Sequence, residues 1–251
     1  AGIAAGNGSA TNTAAANPAY RYIGMAPEAD LIVVKSDLVD TNVIPAIQYI
    51  ENKAASLGEP VVINMSFGGH LGPHDGTSPY EGMIDALAGV GKLLVVSAGN
   101  EGRDNIHASG TLLDGSTEQV NFRIPSGSPS ILLDLWYSGA DVFGVSLTGP
   151  GGNCALPSSG FVYPDTNGTT VSSNLCGNAV ITTSAIDSAN GDREITISLE
   201  NSSPQVPPGT WSVTLSGSGC GVVPCVNNGQ FDVWVALPDD CAGCVFFADH
   251  I

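Results

Sequence analysis

Basic side chains are scarce in this sequence: seven Lys and Arg stand against 24 Asp and Glu, a formal charge of −17. A surface of that sign repels phosphates, so neither nucleic acid nor an anionic membrane is expected as a partner. Charge of either sign is sparse, at 12% of residues, while Gly, Ser, Thr and Asn are abundant. Turns and strands should therefore outnumber long solvent-exposed helices. No apolar run reaches membrane-spanning length, and the N-terminus lacks a basic segment followed by a hydrophobic one, so any export signal is expected upstream.

Cysteine is missing from the first half of the chain. All six, Cys154, Cys176, Cys220, Cys225, Cys241 and Cys244, fall in the second. An even count in a loop-rich, charge-poor region suggests disulfides and an oxidising, extracellular compartment. Proximity suggests the pairs Cys154–Cys176, Cys220–Cys225 and Cys241–Cys244, among the fifteen pairings that six cysteines allow. Zinc competes at Cys241-Ala242-Gly243-Cys244, which has ligand-like spacing, but His250 is the sole histidine nearby and the Cys220 to Cys225 gap is wrong for it.

The richest stretch runs from Val61 to Gly102. Two apolar runs, Val61–Met65 and Leu93–Val96, read as buried strands either side of a helix-length segment, the pattern of parallel strands covered on both faces. Each leads directly into small and polar residues: Ser66-Phe67-Gly68-Gly69 after the first, Ser97-Ala98-Gly99-Asn100-Glu101-Gly102 after the second. In such sheets chemistry gathers at the carboxyl ends of strands. Small residues let a ligand approach the backbone, and Asn100 offers an amide donor to an oxygen that becomes negative during a reaction. Upstream, Asp30–Lys35 reads as a further strand and Thr41–Leu57 as a helix with Val43, Ile44, Ile47, Ile50 and Ala54 on one face.

At these residues the chain resembles the subtilisin-like serine peptidases. Ser97 to Gly102 is similar to that family's oxyanion-hole motif, and Asn64-Met65-Ser66-Phe67-Gly68-Gly69 to its substrate-binding strand. Ala1 to Gly6 resembles the continuation of the helix bearing the catalytic histidine, and Gly24-Met25-Ala26-Pro27 leading into Leu31–Lys35 is a fourth match in the family's order. The resemblance implies that Asn100 is the catalytic oxyanion donor. It implies that Ser66, Phe67, Gly68 and Gly69 form an edge to which a peptide adds as a strand, walled by Ser97, Ala98 and Gly99. In the family an aspartate and a His-Gly-Thr-His histidine precede these motifs, and a Gly-Thr-Ser-Met-Ala serine follows them. None of the three is found here, so the chain reads as an internal piece of a secreted endopeptidase, inactive alone.

Gly76-Thr77-Ser78 imitates the nucleophile motif but precedes Asn100, the wrong order; Ser78 reads instead as a helix cap, with Pro79 at the first helical position and Glu81 closing a capping box. His70, His74 and Asp75 suggest a metal, yet a Gly-Pro-rich loop lacks the helix that would align both rings, so no metal and no cofactor are expected. Gly6-Asn7-Gly8 is neither preceded by a strand, as a phosphate loop would be, nor supplied with the carboxylate that calcium wants.

Beyond Asn105 the apolar period becomes two: Val120, Phe122, Ile124; Ile131, Leu133, Leu135, Tyr137; Ile195, Ile197, Leu199; Trp211, Val213, Leu215; Phe231, Val233, Val235. With Val142–Thr148 and Ala179–Ile186 this makes at least seven strands and no helix. The expected fold is thus a partial α/β parallel-sheet, subtilisin-like core over residues 1–105, followed by an all-β antiparallel sandwich, jelly-roll-like, over 106–251. Expected partners are a peptide or protein substrate, the remaining parts of the same peptidase, and another copy of the piece through exposed sheet edges. The competing reading makes the sandwich a protein- or carbohydrate-binding module on a pseudopeptidase scaffold.

Overall fold

The helix expected from the apolar spacing forms as α2, Asp40–Leu57, and buries Val43, Ile44, Ile47 and Ala54. It stops where predicted. Gly58 takes a left-handed φ of 72°, and the N–H groups of Gly58 and Glu59 turn back to the carbonyls of Ala55 and Ala54. The structure is a computed structural model that describes residues 2–10, 18–37, 40–128, 130–165, 168–174, 176–200, 206–237 and 245–250. It divides into two compact units, residues 1–63 with 89–93, and residues 64–88 with 94–251.

In the first unit a short helix α1, Gly2–Ala5, is clasped by the Gly24 to Ala26 segment: Met25 N–H donates to Ile3 O at 3.1 Å and Ala26 N–H to Ala4 O at 2.7 Å. A Cβ at Gly24 would lie 2.5 Å from Gly6 N, so this approach requires glycine. The buried carboxylate of Glu51 on α2 meets Lys92 Nζ at 2.7 Å, which offsets the cost of removing it from water. Lys92 opens β2, Lys92–Val96, the partner of β1, Val61–Met65. Val61 N–H donates to Gly91 O and Ser97 N–H to Met65 O, so the strands pair start with start and end with end.

Two expectations fail here. Asp30–Lys35 is not a strand, and Val33 is 85% exposed. An apolar run makes a strand only where a neighbour completes the ladder, and residues 31–37 have no strand partner among the described residues. Nor are β1 and β2 covered on both faces: Ile63 and Met65 are buried, but no residue of β2 is. Burying both faces takes packed layers on each side.

The second unit is mostly antiparallel sheet. Its strands are β3 His107–Thr111, β4 Thr117–Ile124, β5 Ile131–Ser138, β6 Gly144–Thr148, β7 Thr169–Ser173, β8 Asn178–Thr183, β9 Asp192–Glu200, β10 Gly209–Ser216, β11 Gln230–Leu237 and β12 Phe246–Phe247. They form a four-stranded sheet, β12-β4-β10-β6, and a six-stranded one, β3-β11-β5-β9-β8-β7. Alternate residues of both sheets enter one apolar cluster, with Trp211, Phe122 and Val213 from the first against Leu133, Ile197 and Val233 from the second. Each such side chain contributes roughly 1.5–3 kcal/mol by leaving water. The period-two reading is therefore met strand by strand, and β3, β7 and β12 are additions to it.

Two carboxylates, buried Asp141 and exposed Asp114, organise the connections. Asp141 accepts the N–H groups of Asn227 (2.5 Å), Asn228 (3.1 Å) and Gly229 (2.7 Å), and Asp114 those of Cys225 and Val226. Disulfides join Cys154 to Cys176 and Cys220 to Cys225, the first two pairs expected from proximity. The third expected pair, Cys241–Cys244, lies outside the described residues.

Candidate functional site

The stretches that follow β1 and β2 are stitched side by side. Ser97 N–H donates to Met65 O at 3.1 Å, Ser97 Oγ donates to Phe67 O at 3.1 Å, and Asn64 Nδ2 donates to Ser66 Oγ at 2.9 Å. The first two bonds are the reason the two motifs meet: strand pairing ends at Met65 and the Ser97 hydroxyl carries the connection two residues further. Ser66, Gly68 and Gly69 are exposed and Phe67 half-buried; Ser97, Ala98, Gly99 and Asn100 are exposed. A Cβ built at Gly68 or Gly69 meets nothing within 4 Å, so the space beside that backbone is open.

Asn100 reaches its place through a left-handed turn at Gly99, φ 81°, where a side chain would be strained. The Asn100 N–H donates to Glu101 Oε2 at 2.8 Å, and His70 Nε2 lies 3.5 Å from the same oxygen. Glu101 thus links the Asn100 turn to the residue after Gly69. Its carboxyl is held below the usual range, chiefly by the Asn100 N–H; burial opposes this, and His70 nearby adds to it. Glu101 was not singled out from sequence, although its place beside Asn100 was the available clue.

Ser78 caps α3, Pro79–Leu87. Its hydroxyl accepts the Glu81 N–H while the Glu81 side chain accepts from Ser78, the box expected from sequence. The three residues weighed as metal ligands each have other partners. His70 faces Glu101, His74 stacks on Trp234 at 4.2 Å, and Asp75 accepts from Thr77 and from Asn190 Nδ2. Among the described residues no group of three or more His, Cys, Asp or Glu is placed to hold a metal ion, and no helix is long and apolar enough to cross a membrane.

Chemically, the arrangement presents an open backbone edge, small residues alongside it, and a polar turn bearing a carboxamide. The solved structure titled "Structure of the Clostridium Perfringens CspB protease" superposes on all of this chain with a TM-score of 0.72 at 20% identity, a likeness of fold. The chain spans half the length of that protein. No curated protein matches the sequence. The profile of Peptidase_S8, the subtilase family, matches residues 1–230, over the two strand-end motifs and most of the β-sandwich, and the chain therefore belongs to the subtilase family.

Proposed function

We propose that this chain is an internal part of a secreted subtilisin-like serine endopeptidase. In this reading residues 1–105 belong to the parallel α/β core and residues 106–251 form a β-domain inserted in it. An extended peptide adds along Ser66 to Gly69, its side chain enters between that edge and Ser97 to Gly99, and Asn100 donates its carboxamide N–H to the carbonyl oxygen as the tetrahedral adduct forms. The 251 residues contain no His-Gly-Thr-His or Gly-Thr-Ser-Met-Ala segment, so the base and nucleophile come from the remaining parts of the protein and the chain alone cleaves nothing.

The observation that carries the reading is the stitching of the two strand ends by Ser97, which brings the open edge and the Asn100 turn into one place. Exposed Leu93, Val95 and Val96 on β2 offer apolar surface for the remaining core to cover. A jelly roll is supported by nested pairing of β4 with β12, β5 with β11, β6 with β10 and β8 with β9, the pattern of one long hairpin rolled upon itself. The disulfides and the acidic surface suit an oxidising exterior.

In the full-length protein, Asn100→Ala is expected to lower kcat for a peptide by roughly 10² to 10³, the magnitude measured for a relative's oxyanion donor, while KM changes by less than about threefold. A serine-directed phosphonate should label the full-length protein and leave the isolated chain unlabelled. Silence of the full-length protein towards both reagents would favour the binding-module reading.

A further inference from the structure

The segment that follows the open edge does not hang free. From His70 to Gly76 it lies against the outer face of the six-stranded sheet, fastened at three points. Gly72 N–H donates to Asp134 Oδ2 at 2.8 Å; the His74 ring stacks on Trp234 with centroids 4.2 Å apart; Asn190 Nδ2 donates to Asp75 Oδ2 at 3.2 Å. Three of its residues have left-handed backbone, Gly72 (φ 105°), His74 (φ 55°) and Gly76 (φ 83°), and for His74 that conformation needs outside support.

The sheet side is built to receive the strap. Asp134 is fully buried on β5, an unusual place for a carboxylate on an outward-facing position, and Gly72 supplies it a hydrogen-bond donor. Trp234 on β11 is also stacked by His107, its cross-strand partner on β3, centroids 4.8 Å apart, and His107 Nε2 is 2.8 Å from Asp232 Oδ1. The indole thus stacks both with an imidazole that the sheet holds in place and with one that the strap brings.

We propose that Asp134 and Trp234 are positioning residues for the substrate edge: by fastening the strap, the sandwich holds Ser66 to Gly69 extended before a peptide arrives. The inference rests on the peptidase reading for the role of that edge, but the fastening itself does not. A backbone edge that must be ordered during binding loses affinity for an added strand, and one already ordered does not. One end of this edge is fixed by the β1–β2 ladder and the Ser97 bonds; the strap fixes the other.

The test uses His74→Ala, which removes an exposed ring, and Asp134→Asn, which keeps the shape but weakens the acceptor, each in the full-length protein. Backbone amides of 66–72 are expected to exchange hydrogen roughly tenfold faster in both variants while β5 and β9 stay protected, and His74→Phe should restore protection by restoring the stack. KM for an extended peptide should rise roughly tenfold with kcat within about twofold. Unchanged exchange at 66–72 overturns the fastening whatever the protein cleaves. Faster exchange with unchanged KM, or an equal fall in kcat and kcat/KM, overturns the positioning role. If the parent cleaves no peptide, the peptidase reading fails and the exchange measurement still decides whether the strap is held.

Discussion

The pair β1–β2 and the pair β5–β9 both carry large aliphatic side chains, and these end in opposite conditions. In β5 and β9 every inward residue, Ile131, Leu133, Leu135 and Tyr137 against Ile195, Ile197 and Leu199, is buried in a cluster closed by the facing sheet. In β2 the apolar residues remain in solvent, Val96 at 61%. The sandwich strands alternate, so a single facing sheet satisfies them; β1 and β2 are apolar at successive positions, so two covering layers are needed. A strand's sequence therefore states how many layers it requires, and the two regions differ in how many they have.

Removing one large side chain from each region breaks the comparison most sharply. Trp211 is fully buried, stacks on Phe122 and donates its indole N–H to Pro207 O at 2.9 Å. Trp211→Ala is expected to destabilise the chain by about 3–5 kcal/mol in denaturant titration, whereas Val96→Ala should change it by less than about 0.5 kcal/mol. Equal effects would mean that β2 is buried in solution by something the described residues do not include, self-association among the candidates.

Next in size is the Cys154–Cys176 bond, which closes a loop of 22 residues in sequence separation within the sandwich unit. Replacing both cysteines by alanine should lower stability by about 3 kcal/mol, and the Cys220–Cys225 pair, separated by only 5, by less. The comparison sharpens if both losses appear in the main unfolding transition and neither alters hydrogen exchange in α2.

What the sequence revealed, and what it did not, follows the same division. The sandwich strands were legible because alternation is a local signature of one-sided burial. β3 and β7 were not, since His107-Ala108-Ser109-Gly110-Thr111 and Thr169-Thr170-Val171-Ser172-Ser173 carry almost no apolar alternation; β3 exists because β11 pairs with it, setting Ala108 opposite Val233. Asp30–Lys35 erred in the other direction, with a continuous apolar run, Leu31 to Val34, and no ladder partner among the described residues. The two strand-end motifs were legible as contiguous text, whereas Gly72–Asp134 and His74–Trp234 join residues far apart in the chain, and nothing local in Asp134 or Trp234 marks them.

The smallest expected effect separates the regions by pH. Glu194 on β9 has its carboxyl pushed up to about 7, first by burial, then by the charge of neighbouring Asp134 and a hydrogen bond with it, and then by Asp187. The folded chain therefore holds a proton on Glu194 that the unfolded chain releases between its ordinary value near 4.5 and about 7. Below that window the group imposes no penalty; as pH rises through it, stability falls, and above it the full penalty applies. Its residual exposure limits the effect to roughly 1–2 kcal/mol. Glu194→Gln, neutral at every pH, should match the parent at pH 4, exceed it at pH 8, and flatten the stability curve between. Because Asp134 also holds Gly72, the same variant should leave amides 66–72 more protected than the parent at pH 8 and equally protected at pH 5; a pH profile unchanged by the substitution would show that the carboxyl pair is not strained, and that the strap's attachment is independent of it.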